Sequence, residues 1–202
     1  MSVTCPSATI EQDDLDDQTS RIRFPDPEGI REYIAQSSSS FGCLLQGAFQ
    51  FTTHEEAERL SALLALNTPD PERAAMGIWE LLSNAIEHGN LEIDMELKAD
   101  LLMQDAFQDE IRRRHTQSPY RDRFAIAEFS RGPDRVTLKV TDQGKGFDFE
   151  TYLSADFPVD GPNGRGIKIA QQFCFDTLRY EEPGNVVEGT ILVPKAGESR
   201  TS

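Results

Sequence analysis

The sequence predicts a mixed α/β chain, one ordinary domain of helices and strands between two polar tails. Three observations predict it. Ile78, Leu81, Leu82, Ala85 and Ile86 recur at helical spacing and mark an amphipathic helix. Val136, Leu138 and Val140 alternate with polar neighbours, which is the period of a half-buried strand. Gly132-Pro133-Asp134 and Pro183-Gly184-Asn185 sit between strand-like runs and read as hairpin turns.

In order along the chain, residues 1–20 are polar and acidic, with Asp13, Asp14, Asp16 and Asp17 close together, and are expected to form a loosely held tail. Residues 21–41 hold Pro25, Pro27 and the run Ser37 to Ser40, which fits a short helix at about 28–36 and a loop. From Cys43 to Thr52, Phe49 and Phe51 alternate with polar neighbours, as at the end of a strand. Thr53 with Glu56 three residues on has the form of a capping box and opens a helix over about 54–66, with Ala57, Leu60, Leu63 and Leu64 at core spacing. Asn67 to Pro71 is a turn. The helix carrying the Ile78 stripe starts near Glu72 and is expected to stop at Gly89 in a left-handed conformation. A further helical segment covers about Met95 to His115, with Leu97, Leu101, Leu102, Phe107 and Ile111 at workable spacing. Its basic end, Arg112 to His115, complements a helix dipole; a partner- or phosphate-facing patch is the rival reading. Phe124 to Ser130 and Arg135 to Thr141 form one hairpin. Residues 148–163 carry two prolines and little periodicity and read as a mobile loop. Gly164-Arg165-Gly166 then opens a helix, and Phe175 to Tyr180 with Val186 to Val193 make a final hairpin before a frayed tail at 195–202.

Composition narrows the function classes. The formal net charge is -15, and phosphate backbones repel such a surface, so direct nucleic-acid binding is not expected. No apolar run approaches the length that spans a bilayer, and the N-terminus shows no secretory pattern. The three cysteines, Cys5, Cys43 and Cys174, are odd in number and widely spaced. They argue against a disulfide framework or a cysteine zinc site and fit a reducing cytoplasm.

Several short patterns can carry chemistry. Glu80, Asn84 and His88 follow i, i+4, i+8 spacing and share one helix face, where a base and a metal ligand could meet in one pocket. Read alone, they make a solvated stripe. Asp142-Gln143-Gly144-Lys145-Gly146-Phe147 follows a strand; its glycines let the backbone approach a ligand, and a strand-end Asp can accept from an amino group. It is also a common turn, and the acidic positions of an EF-hand are missing. Gly164-Arg165-Gly166 at a helix start could hold phosphate on free amides. No Gly-Lys-Ser/Thr follows, so it is not a P-loop, and it lacks the unit of a dinucleotide fingerprint. His54-Glu55 is faintly similar to a phospho-accepting histidine site, against the simpler reading of a surface residue.

The patterns occur in one order: Glu-x-x-x-Asn on a helix, Asp-x-Gly-x-Gly-Phe, a loop, Gly-Arg-Gly, then Gly189-Thr190 on a strand. In that order the chain resembles the GHKL (Bergerat-fold) ATPases over about residues 43–194, and within them the bacterial anti-sigma factor serine kinases. Glu80…Asn84…His88-Gly89 looks like that branch's N box. The resemblance implies an α/β sandwich of the α+β kind, with a mixed, mostly antiparallel sheet and helices on one face. It implies ATP and Mg²⁺ as cofactors. Asn84 would bind the metal, Glu80 would be the general base, and Asp142 would read adenine with help from Thr190 through a water. Gly144 and Gly146 would give the base close access. Gly164 and Gly166 would border the phosphates, with Arg165 a charge partner, and 148–163 would be the lid. His88 would pack, cap or touch nucleotide.

Two features depart from the family pattern: the N-terminal extension, 1–41, and a helical insertion at about 91–122 within a domain of 42–194. The resemblance implies an ATP-binding serine/threonine protein kinase. It would phosphorylate a small antagonist protein in a partner-switching pathway and hold a sigma factor or other regulator. A homodimer is likewise suggested. Two alternatives stay open: a non-catalytic nucleotide-binding regulator that sequesters a partner, and a detached histidine-kinase-type catalytic domain.

Overall fold

A computed structural model describes residues 42–153 and 165–194 of the chain. The expected tails at 1–41 and 195–202, the greater part of the expected lid, and Gly164 lie outside the described residues, as does the side chain of Arg165.

Five strands form one sheet: β1 (Gln46–Phe51), β2 (Ala125–Arg131), β3 (Arg135–Thr141), β4 (Thr177–Glu181) and β5 (Val186–Leu192). Their order is β1-β2-β3-β5-β4, and every pairing is antiparallel. Period-2 alternation divides the sheet into two faces. Phe51, Ala125, Ala127, Phe129, Val136, Leu138, Val140, Val187 and Ile191 are buried on one of them. The other is polar, and in one row Thr137, Thr190 and Thr177 stand side by side across three strands.

The helices cover the apolar face. Helix α1 (His54–Ala65) begins with the expected capping box: Glu56 N donates to Thr53 Oγ1 at 3.2 Å, and Thr53 N donates to Glu56 Oε2 at 3.0 Å. Helix α2 (Pro71–Asn84) is capped by Asp70, with Pro71 in its first turn. It does not stop at Gly89. A π-helical turn, Ala85–Asn90, carries it on, and Leu91 N donates to Ile86 O at 2.8 Å. The left-handed residue is Glu92, with φ of 52°. Ile78, Leu81, Leu82, Ala85 and Ile86 are buried, as their spacing predicts.

The single segment expected at 95–115 is two helices, α3 (Met95–Met103) and α4 (Phe107–His115). Asp105, at φ 53°, breaks the run between them, and Asp tolerates that conformation better than most residues. Phe107 and Ile111 are buried in the main core, so segment 91–122 is packed into the domain. Between β3 and β4 the described residues form two short helices, α5 (Phe149–Leu153) and α6 (Arg165–Ile169); a π-helical turn at Ala170–Cys174 extends α6. Among the described residues no helix is long and apolar enough to cross a membrane.

Candidate functional site

Where the end of α2 meets the open end of the sheet, a cavity of about 330 Å³ opens between them. Its walls include Asn84 and His88 from α2 and its extension, Asp142 and Gly146 from the turn after β3, and Tyr180 and Asn185 from the last hairpin. Three expected site residues, Asn84, Asp142 and Gly146, therefore share one space.

Asp142 follows β3 directly and turns its carboxylate inward, in phase with the buried Leu138 and Val140. Gly144 N donates to Asp142 Oδ1 at 2.8 Å. The backbone of Asp142 is tied to the last hairpin, with Asp142 N donating to Asn185 O at 3.0 Å and Asn185 Nδ2 to Asp142 O at 3.1 Å. Burial pushes the carboxyl up to about 6, against the pull of the Gly144 amide and the Arg123 charge. Gly89 makes this packing possible. A Cβ there would stand 2.5 and 2.7 Å from the two carboxylate oxygens of Asp142. Gly89 is thus needed for close approach, and the helix runs past it.

Gly146 and Gly184 lock the turn to the hairpin. Both have positive φ, 77° and 105°. A Cβ on Gly146 would run into the carbonyl of Pro183, and one on Gly184 would stand 2.5 Å from Phe147 O. Gly144 lies against Gly89, whose carbonyl oxygen would be 2.5 Å from an added Cβ.

Glu80 lies outside the cavity wall, one turn before Asn84 on α2. Its carboxylate packs on Gly166 of α6, where an added Cβ would be 3.0 Å from the carboxyl carbon. Glu80 and Gly166 thus stand together. Burial holds the Glu80 carboxyl above its usual range; Lys98 pulls it down and Glu87 pushes it up. Among the described residues, neither the half-buried Glu80 carboxylate nor the half-buried Asn84 amide has a hydrogen-bond partner.

Thr190 is not brought to this site. Val187, Gly189 and Ile191 point into the core, so Thr190 points to the opposite face, in register with Thr137. The residues level with Asp142 are at the hairpin turn, Gly184 and Asn185. The alternation from Val187 onward was the available signal.

A buried ionic cluster flanks the face that bears Glu80 and Asn84, and no local pattern in the sequence announces it. Glu87 is 5% exposed. It accepts from Lys98 Nζ of α3 and bonds His54 Nε2 at 2.8 Å. Burial opposes its ionisation, but these two partners outweigh that and hold its carboxyl down at about 2. His54 also packs on Trp79 at 5.9 Å, which makes it a structural partner of α2. Segment 91–122 and its flank supply two further bonds: Arg114 Nη1 donates to Leu91 O, and Arg123 Nη1 to Asn90 O at 2.9 Å. These guanidinium groups take up carbonyls left open at the helix end. His88 Nδ1 bonds Ile93 O, and burial lowers the ring's pKa, which favours a neutral donor that holds the same bend.

The fit to Mg²⁺ rests on one amide oxygen. Among the described residues no group of three His, Cys, Asp or Glu could hold a metal. The side chain of Asn84 suits an ion that keeps its waters and takes most ligands from phosphate.

Residues 52–191 match the family model of the histidine kinase-like ATPase domain. A comparison with curated proteins gives no match.

Proposed function

The chain belongs to the histidine kinase-like ATPase domain family, and from that premise we propose that it is a serine/threonine protein kinase resembling the anti-sigma factor kinases. It would use ATP to phosphorylate a small antagonist protein and would hold a sigma factor or similar regulator.

The observation that carries this reading is Glu80. A nucleotide-binding regulator needs Asp142 and Asn84 but has no use for a half-buried carboxylate against Gly166 with no hydrogen-bond partner among the described residues. Burial raises its pKa, which favours uptake of a proton by a general base. In the proposed reaction a carboxylate oxygen of Glu80 takes the proton of the acceptor hydroxyl. The freed oxygen bonds the terminal phosphorus of ATP, the bond to the bridging oxygen breaks, and ADP carries away that electron pair. Asp142 accepts from the adenine amino group. Asn84 would hold Mg²⁺ through Oδ1, and the ion supplies charge neutralisation of the phosphates when bound. Phosphorylation would add negative charge to the antagonist's binding surface and weaken its grip.

The test is to incubate the protein and its Glu80→Ala variant with Mg-ATP and co-purifying proteins, then map phosphosites by mass spectrometry. The expected result is acid-stable phosphoserine or phosphothreonine on a small partner, lost in Glu80→Ala while ATP affinity is kept. An unchanged phosphoserine yield in the variant would sink the role of Glu80.

A further inference from the structure

Besides Asp142, the base end of the cavity holds a second polar group, one with no part in phosphotransfer. Tyr180 stands on the inner face of β4, two residues after buried Leu178 and across from Val187. Its ring lines the cavity with Asp142. Two aromatic rings fix it: Phe147 meets it edge-on at 5.2 Å and 87°, and Phe149 stacks on it at 5.5 Å and 17°. Both neighbours follow the Asp142 turn, so the phenol and the carboxylate share one scaffold.

A tyrosine pairs an apolar ring with a polar tip that seeks a hydrogen-bond partner. At half-buried Tyr180, on the cavity wall, the hydroxyl has no such partner among the described residues. Burial and the nearby Asp142 charge both disfavour the phenolate, so the hydroxyl keeps its proton and can donate. Thr190, expected to share in base reading, is on the far face of the sheet.

We propose that the Tyr180 hydroxyl is the second base-reading group of this site, in the role the sequence pattern assigned to Thr190. The proposal rests on the cavity being the ATP site. Adenine offers an amino group beside an unprotonated ring nitrogen. Asp142 accepts from the amino group, and Tyr180 donates to the ring nitrogen, directly or through one water. Guanine presents the reverse: a carbonyl where the amino group stands and an N–H where the lone pair stands. The two groups together therefore select adenine.

Tyr180→Phe keeps both ring contacts and removes only the hydroxyl. Calorimetric titration of the full chain with ATP and with GTP reads the effect. Tyr180→Phe is expected to weaken ATP binding about three- to tenfold and to leave GTP binding unchanged, and Thr190→Val to change neither. Wild-type ATP affinity in Tyr180→Phe, or an equal loss in Thr190→Val, overturns the proposal. Asp142→Asn separates the levels. If it loses ATP while Tyr180→Phe does not, the ATP site stands and the Tyr180 role falls. If it binds ATP normally, the ATP reading of the cavity falls too.

Discussion

Asp142→Asn is expected to make the ligand-free protein more stable while removing its ATP binding. The carboxyl is moved from 3.8 to about 6 by burial. Keeping it ionised in the folded state at neutral pH therefore costs about 3 kcal/mol. The sign follows from the direction. An acid with a raised folded-state pKa destabilises most above that pKa, because it is ionised in both states. As pH falls from about 6 toward 3.8 the folded protein takes up the proton first, and the penalty fades. An asparagine carries no such penalty and can still accept from Gly144 N. The stability gain should be about 3 kcal/mol at pH 7, about half that at pH 5, and close to zero at pH 3. Urea unfolding of both proteins at the three pH values measures it. A gain that is absent, or equal at all three, refutes the reasoning. The same shift predicts that ATP binding weakens below about pH 6 as the acceptor is protonated.

Two further predictions concern packing around the site. Gly89→Ala should push the Asp142 carboxylate off its position and weaken ATP binding at least tenfold, the loss of a charge-assisted hydrogen bond worth about 1.5–3 kcal/mol; calorimetry showing wild-type affinity would contradict the close-approach role. Glu87→Ala should destabilise the fold by about 3 kcal/mol at pH 7, toward the low end for a broken buried pair because Lys98 and His54 can reach water. Because the Glu87 carboxyl is held down at about 2 against an ordinary 4.5, its stabilising effect should be present above pH 4.5 and fade toward pH 2, and urea midpoints that fall equally in Glu87→Ala over that range would exclude it.

The sequence made local periodicities legible and left longer-range constraints hidden. Glu80 and Asn84 could be assigned to one face because helical spacing fixes it, and Asp142 and Gly146 to one turn because a strand ends in glycines there. The Thr53–Glu56 capping box was readable for the same reason. The Gly189-Thr190 pair fits the family pattern in sequence without fixing which face of the strand Thr190 takes. Counting the two-residue period from Val187 sends it to the outer face. Gly89 read as a helix stop because a glycine at a helix end usually is one. Its actual constraint, the Asp142 carboxylate, is 53 positions away and invisible locally. Glu87 has the same character: its partners, His54 and Lys98, lie on two other helices.

That ionic cluster has a consequence for how such a domain can vary. Glu87 is tolerable inside the protein because α3 delivers Lys98 to it beside His54 of α1, and the carbonyls at the bend after Asn90 are bonded by Arg114 and Arg123 from the stretch that follows. A relative joined by a short link between this helix and β2 would keep a buried carboxylate with a histidine as its one remaining partner. Such a chain should carry an apolar residue at the equivalent of position 87. The length of one connection and the identity of one buried side chain ought to be inherited together.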